Sequence, residues 1–212
     1  TDGGCNNNGQ DTAYSAWVFF FEPGFEPSRG EIQSTIWESH GGVTLDPNDP
    51  LYIGAEKRSN NVGEITAIVE LCVWLHRQVI SNTICTSNHI VIHTDSAYAR
   101  NVILGKWAAR HNKTLDMLAK VLLHRLTTLI PVHLVWVRGH SGTYGNERAD
   151  SLATDGLGPV LRVSNHCRDP IFAGLSWGIL QKLSKHEPLH HMLKDWRAVS
   201  TIKMLFQCRS LP

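Results

Sequence analysis

The pattern of hydrophobic and polar positions divides the chain into alternating strands and helices. Residues 13–22 are aromatic and apolar, which is typical of a strand. Residues 31–42 alternate less cleanly and end at a glycine pair, and they predict a second strand. Across residues 61–80 apolar side chains return every three or four positions, which predicts a helix with a buried face. Short apolar runs at 89–96 and 131–140 predict two buried strands.

Three further segments have helical spacing. They lie at residues 96–105, 114–130 and 146–153. Residues 44–61 contain two prolines and predict a loop. The resulting order, β-β-α-β-α-α-β-α, is typical of an α/β fold in which helices flank a mixed sheet.

Length and composition set the domain organisation. The 212 residues, 42% of them hydrophobic, are enough for one well-cored domain with an extension. Residues 1–157 carry 12 Lys and Arg against 16 Asp and Glu, whereas residues 158–212 carry 8 against 3. We therefore predict a domain over 1–157 and a basic, partly helical extension of unknown function over 158–212. No run of about 18 apolar residues is present, so we expect no membrane partner.

The positions of cysteines and cations refine this outline. Five cysteines are scattered without a CxxC spacing, which disfavours a zinc site or a disulfide framework and favours an intracellular location. Residues 100–125 contain six Lys and Arg but one acidic residue, Asp116. This basic stripe could contact phosphate groups, or it could be an ordinary solvated helix face.

Four acidic residues stand near the ends of predicted elements. Asp2 lies in a Thr-Asp-Gly sequence expected to end a strand, and Asp95 follows a buried strand. Glu64 lies in the first turn of a predicted helix, and Asp150 in the last helix of the domain. Because functional groups gather at the carboxyl ends of strands in open α/β sheets, these acids could converge. Clustered carboxylates raise one another's pKa, and a divalent cation relieves this; oxygen ligands alone point to Mg²⁺ or Mn²⁺.

Each of these acids also has an ordinary structural interpretation. Glu64 could complete a capping box at the start of its helix. Asp95 could cap the helix that follows it. Asp150 could form a surface ion pair with Arg148 or Arg125. The surrounding sequence motifs favour the joint interpretation over these separate ones.

Four sequence motifs carry a resemblance to a known family. The stretches TDGG, SNNVGEITA, HTDSAYARN and VRGHSGTYGNERADSLA contain the four acids in turn. In order and spacing they resemble the motifs of type-1 ribonuclease H, over residues 1–157. The resemblance implies the ribonuclease H fold, a five-stranded mixed sheet flanked by helices. It also implies endonucleolytic cleavage of the RNA strand of RNA–DNA hybrids, without a small-molecule cofactor.

The resemblance assigns a role to each acid. Asp2, Glu64, Asp95 and Asp150 would hold two Mg²⁺ ions, with Mn²⁺ as an alternative. Asp2 would bridge the ions, Asp150 would serve the nucleophile side, and Glu64 and Asp95 the leaving-group side. His140, on a loop containing Gly139, Gly142 and Gly145, would assist product release or move a proton. Cleavage would leave 5′-phosphate and 3′-hydroxyl ends.

The resemblance also predicts residues that contact the hybrid. Loop asparagines would reach the minor groove, and amides suit this task because they both donate and accept hydrogen bonds. Ser59 and Asn112, with Lys57 or Arg58, would hold a phosphate of the DNA strand. The complete set of expected substrate-binding residues is Gly3, Asn8, Lys57, Arg58, Ser59, Asn60, Asn61, Asn112, Lys113 and Asn146.

The chain departs from the family's pattern in three places. Nearly all of the first strand is expected to be missing before Thr1, so we expect a piece of a longer chain that folds poorly by itself. Asn112 follows Asp95 by 17 residues, a shorter interval than in members with a basic handle. This predicts weaker hybrid binding unless the basic extension compensates. Residues 44–58 form a longer loop than expected.

Two alternative functions are compatible with the same motifs. A catalytically silent module would bind or tether hybrids without cutting them, and a DNA nuclease or integrase would use the same fold on another substrate. The presence of all four acids and His140 disfavours the first alternative. The GHSG and NERAD sequences disfavour the second.

Overall fold

The computed structural model describes residues 1–8, 14–21, 37–86, 89–142 and 144–155. Within them the α/β class and the predicted order of elements from residue 14 onward are confirmed, and one further strand precedes that series. The extension predicted over 158–212 lies outside the described residues.

Five strands form the sheet layer of the described residues. Three of them form an antiparallel sheet in the order β1-β2-β3, and the other two form a parallel pair. The antiparallel strands are β1 (Asp2–Asn6), β2 (Tyr14–Phe21) and β3 (Trp37–Gly42). The parallel strands are β4 (Ile90–Thr94) and β5 (Val132–Trp136). A parallel pair needs a long crossover, and the helical segment between these two strands provides it.

The first strand differs from our prediction. We expected Thr1–Gly3 to end a strand that is otherwise missing, with a loop directly after it. This was wrong: β1 begins at Asp2 and continues to Asn6, because each of its residues pairs with one of residues 14–18 on β2. The amino group and hydroxyl of Thr1 donate to His93 O at 2.8 and 3.1 Å. These bonds link β1 to β4 and place Asp2 beside the carboxyl end of β4.

Helices cover both sheets. Within the described residues they are α1 (Asn60–Ile80), α2 (Ala97–Ile103), α3 (Lys113–Thr127) and α4 (Tyr144–Asp155). α1 begins after Ser59, whose extended backbone and side-chain Oγ, 3.3 Å from Val62 N, form an N-cap. α1 packs against α3, β1 and β2, and α4 packs against β1 and β2.

The hydrophobic core is centred on α1. Ile65, Ile68 and Leu75 return on the helical period and are almost completely buried, together with Phe19 of β2 and Leu118 of α3. A core of this kind fixes α1 on the sheet, and α1 carries one of the candidate acids. No helix among the described residues has the length and apolar content needed to cross a membrane.

Candidate active site

Three carboxylates from different elements meet at one end of the sheet. Asp2 begins β1, Glu64 lies in α1, and Asp95 follows the last residue of β4. One carboxylate oxygen from each lies within 4.8 Å of the other two. Asp2 and Glu64 are buried, with exposed fractions of 6% and 8%. Carboxylate oxygens gathered in this way could hold a hard divalent cation.

A glycine sets the place where Glu64 meets Asp2. A Cβ at Gly3 would overlap the backbone N of Glu64 and the backbone C of Gly63. The bare backbone at Gly3 therefore lets α1 lie directly on β1. This close approach brings Glu64 beside Asp2.

The N-cap residues of α1 and α2 exclude capping roles for Glu64 and Asp95. α1 is capped by Ser59, so Glu64 lies too far along the helix to complete a capping box. α2 is capped by Ser96, whose Oγ accepts from Ala99 N at 3.1 Å. Glu64 and Asp95 are therefore not the capping residues of their helices.

Burial and the neighbouring carboxylates disfavour the charged forms of Asp2 and Glu64. Burial raises the pKa of Glu64 well above its usual value, and the charges of Asp2 and Asp95 raise it further. Burial and Asp95 also raise the pKa of Asp2, while the backbone N–H of Gly3, 2.7 Å from Asp2 Oδ1, opposes the shift. Glu64 Oε2 is buried and has no hydrogen-bond partner within the described part of the chain. An unpartnered buried carboxylate oxygen beside two other acids fits a bound cation.

Replacing Glu64 with glutamine tests this electrostatic description. Without divalent metal, Glu64→Gln is expected to raise the free energy of unfolding near pH 7 by about 1–3 kcal/mol, the usual penalty of an uncompensated buried polar group. Because the pKa of Glu64 is raised in the folded state, the ionisation of Glu64 destabilises the fold increasingly as pH rises above the usual value of 4.5. Urea unfolding in EDTA should therefore show a difference between the two proteins that grows from acidic to neutral pH. A glutamine variant less stable than the unsubstituted protein at neutral pH would contradict the description.

Two residues at and after the end of β5 hold Asp95 in place. Trp136, the last residue of β5, donates from its indole Nε1 to Asp95 O at 2.9 Å. Gly139 approaches so closely that a Cβ there would lie 2.5 Å from Asp95 Oδ2. The sequence indicated Gly139 only as a loop glycine and gave no signal for Trp136, because its hydrogen bond joins residues 41 positions apart.

Asp150 and His140 lie close to each other, outside the three-carboxylate group. Asp150, on α4, is not a member of that group, and its Oδ2 lies 4.0 Å from His140 Nδ1. Their side chains are 48% and 75% exposed, respectively. His140 has a φ of 49° and Gly142 a φ of 74°, so the loop turns through the left-handed region twice. The backbone N–H of Gly142 donates to Glu147 Oε1 at 3.3 Å, which ties the loop to α4.

Arg148, one of the partners considered for Asp150, is engaged elsewhere. Its Nε and Nη2 donate to Glu38 Oε1 and Oε2 of β3 at 2.8 and 2.7 Å. This hydrogen bond with Arg148 is the main reason that the pKa of Glu38 is lowered. The sequence gave no indication of Glu38, which lies 110 residues from Arg148.

Asn112, expected to hold a DNA phosphate, is bonded at the start of α3 to the segment that contains Lys57. Asn112 is buried with a φ of 55°, and its side-chain Oδ1 accepts from Glu56 N and Lys57 N at 2.7 and 2.9 Å. Its backbone N donates to Glu56 Oε2 at 3.1 Å. Arg58 and Ser59 follow directly along the chain and are partly buried. Asn112 is therefore held against the segment that precedes α1.

The other predicted substrate-binding residues are more dispersed. Asn60 and Asn61 are exposed at the start of α1, Lys113 is exposed at the start of α3, and Asn8 is exposed beyond β1. Asn146 is buried in α4, and its Nδ2 has no hydrogen-bond partner among the described residues. The side chain of Asn146 lies about one helical turn before Asp150 on α4.

Comparisons with known proteins cover the whole of this site. The RNase H family model matches residues 1–158. The ribonuclease H of Methylobacillus flagellatus is 31% identical over 169 residues, which cover 76% of this chain and 90% of the relative. The ribonuclease H of Cupriavidus pinatubonensis is 38% identical over 116 residues, or 50% of this chain and 74% of the relative. The crystal structure of RNase H1 from the archaeon Halobacterium salinarum NRC-1 is 20% identical, covers 74% of this chain and 92% of that chain, and superposes with a TM-score of 0.47.

Proposed function

This chain belongs to the ribonuclease H family of hydrolases, and we propose that it cuts the RNA strand of RNA–DNA hybrids at the site around Asp2, Glu64 and Asp95. The fold predicted from the four motifs is the fold of this family. The observation that carries the proposal is the convergence of three carboxylate oxygens within 4.8 Å, from residues that the family motifs place in the active site.

The carboxylate oxygens of the four acids are suitable ligands for divalent cations such as Mg²⁺. Asp2, Glu64, Asp95 and Asp150 offer only carboxylate oxygens, which favours Mg²⁺, with Mn²⁺ as an alternative. If two ions bind, Asp2, Glu64, Asp95 and Asp150 would hold them: Asp2 would serve both ions, Asp150 would act on the nucleophile side, and Glu64 and Asp95 would act on the leaving-group side. When bound, such ions acidify the attacking water and neutralise negative charge on the departing 3′ oxygen. The products would then carry 5′-phosphate and 3′-hydroxyl ends.

His140 is assigned to proton movement or product departure. Its imidazole lies on an exposed loop beside Asp150, and an imidazole nitrogen can accept or donate a proton. The loop is fixed at both ends, since Gly139 contacts Asp95 and Gly142 bonds to Glu147. His140 can therefore move between the site and solvent while its neighbours stay in place.

The orientation of the Asn112 amide supports its role at a DNA phosphate. Two backbone N–H groups, of Glu56 and Lys57, hold its Oδ1, so the amide cannot be reversed without losing both bonds. The Nδ2 of Asn112 must then point away from Glu56 and Lys57, where it can donate a hydrogen bond to a phosphate. The hydroxyl of Ser59 and the side chains of Lys57 and Arg58 add donors and positive charge nearby. The full proposed contact set also includes Gly3, Asn8, Asn60, Asn61, Lys113 and Asn146.

The substitution Asn112→Asp separates structure from phosphate binding. An aspartate keeps an acceptor for both backbone N–H groups but replaces the Nδ2 donor with a negative charge. We expect the hybrid affinity of the folded protein to fall by about tenfold, the loss of one charge-assisted contact. The melting temperature should also fall, because the new charge is buried beside Glu56. Fluorescence anisotropy with a labelled hybrid measures the affinity. Asn82→Asp is the matched control, because Asn82 is an exposed asparagine with a φ of 57° at the end of α1. Equal losses in the two variants would refute the assignment.

Substrate choice decides between this function and the two alternatives. The full chain is incubated in Mg²⁺ with an end-labelled RNA–DNA hybrid, double-stranded RNA or duplex DNA. We expect cleavage of the RNA strand of the hybrid. The proposed 5′-phosphate and 3′-hydroxyl ends are checked by testing the products as substrates for a ligase and a kinase. Equal cleavage of duplex DNA would instead favour a DNA nuclease of the same fold. Hybrid binding without cleavage in Mg²⁺ or Mn²⁺ would favour a catalytically silent module.

A further inference from the structure

Asp150 differs from the other three acids in what fixes its position. Asp2, Glu64 and Asp95 are anchored by β1, the buried helix α1 and the end of β4. Asp150 projects from α4, and its side chain is about half exposed. Its distance from the three-carboxylate group therefore depends on how α4 lies on the sheet.

Among the described residues, the buried apolar contact of α4 with the sheet is small. Ala149, Leu152 and Ala153 pack against Val18 of β2 in a cluster separate from the main core. Two of these three side chains are single methyl groups, which interlock weakly with their neighbours. We expect such a contact to attach the helix while constraining rotation about its axis only weakly.

A two-bonded ion pair supplies the missing constraint. The guanidinium of Arg148 donates to both carboxylate oxygens of Glu38, at 2.8 and 2.7 Å. Parallel hydrogen bonds between two planar groups fix orientation as well as distance. Glu38 lies on β3, which is separated from β1 by β2 in the sheet order. The ion pair therefore holds the side of α4 that carries Arg148 close to β3.

Helix geometry connects this ion pair to the active site. Successive residues of an α-helix are rotated by roughly 100°, so Arg148 and Asp150 project on opposite sides of Ala149. Ala149 faces Val18, and Arg148 reaches toward β3. Asp150 therefore projects toward the β1 side, where Asp2 lies. Rotation of α4 that loosens Arg148 would move Asp150 away from its present place.

From this geometry we infer that Glu38 is a positioning residue for Asp150, acting through Arg148. The inference rests on the proposed function, in which Asp150 is a metal ligand. Neither Glu38 nor Arg148 would contact the substrate or the metal. Their pairing would set the rotation of α4 and hence the distance of the Asp150 carboxylate from Asp2.

The test uses the full chain and three changes to the ion pair. Glu38→Gln removes one charge, Arg148→Lys keeps the charge but cannot form two parallel bonds, and the exchange Glu38→Arg with Arg148→Glu restores a pair of reversed sign. We expect the first two to lower kcat and apparent Mg²⁺ affinity by about tenfold each, as is typical when a residue that orients a metal ligand is lost. The KM for the hybrid should stay unchanged, and the exchange should recover most of both losses. Ser151→Ala, at an exposed position of the same helix, is the control expected to change nothing.

Hydrogen exchange gives a readout that does not depend on cleavage. In metal-free protein, backbone amides of residues 149–153 should exchange faster in Glu38→Gln and Arg148→Lys and return toward their original rates in the exchanged pair. Unchanged exchange, or unchanged Mg²⁺ dependence in an active enzyme, would overturn the inference. If the unsubstituted chain cleaves no hybrid, the proposed function fails, and the exchange rates still decide whether the ion pair holds α4.

Discussion

Asp95→Asn is expected to reduce cleavage of an RNA–DNA hybrid by about a thousandfold or more, because a metal site supplies several kcal/mol of transition-state stabilisation. Asparagine has the shape of aspartate, so the bond from Trp136 to the backbone O of residue 95 and the close contact with Gly139 can persist. The change removes one of three clustered charges that would attract the cation. The loss should therefore lie in chemistry and metal affinity and not in folding.

Three measurements separate these contributions. Single-turnover cleavage gives the rate, calorimetric titration gives Mg²⁺ affinity, and anisotropy with labelled hybrid gives binding. Hybrid affinity should change by no more than about threefold, since phosphate contacts with Lys and Arg dominate it. Asp46→Asn is the matched control: Asp46 is exposed in the long loop, and its Oδ1 accepts from Asn48 N, which asparagine can also do. Full activity of Asp95→Asn would remove the basis of the proposed mechanism.

The sequence predicted the elements that carry the acids because their signals are local. An apolar run ending in polar residues is enough to place Asp95 at the end of β4, and helical spacing is enough to place Glu64 early in α1. Both elements are present as predicted. The cap of α1 was harder to predict, since Ser59, Asn60 and Asn61 are all suitable N-cap residues. Only the hydrogen bond from Val62 N to Ser59 Oγ identifies the cap and excludes a capping box for Glu64.

The features that sequence reasoning missed depend on contacts between distant segments. The strand β1 was predicted to end at Gly3, since its glycines and asparagines are poor strand formers; pairing with β2 overrides that preference. Glu38, Glu56 and Trp136 bond to residues 110, 56 and 41 positions away. No pattern within a short window can reveal such pairs. Family motifs indicate the acids themselves, but not the residues that orient them.

Gly3→Ala is expected to lower the free energy of unfolding by about 3 kcal/mol or more, because overpacking against an immovable neighbour exceeds the usual penalty. A Cβ at this position would overlap the backbone of Gly63 and Glu64, and backbone atoms within a buried helix cannot turn aside as a side chain can. β1 and α1 would have to separate. Because Glu64 lies at the contact, the separation would also draw its carboxylate away from Asp2 and weaken the metal site.

Urea unfolding measures the stability loss, and Mg²⁺ titration of the folded fraction measures the effect on the site. Gly142→Asn is the control for replacing a glycine: a Cβ there meets no atom within 4 Å, and asparagine tolerates the φ of 74° better than most residues. Its loss of stability should stay below about 1 kcal/mol. A Gly3→Ala protein as stable as Gly142→Asn would mean that α1 does not lie directly on β1 at Gly3. The placement of Glu64 beside Asp2, on which the metal site depends, would then need another explanation.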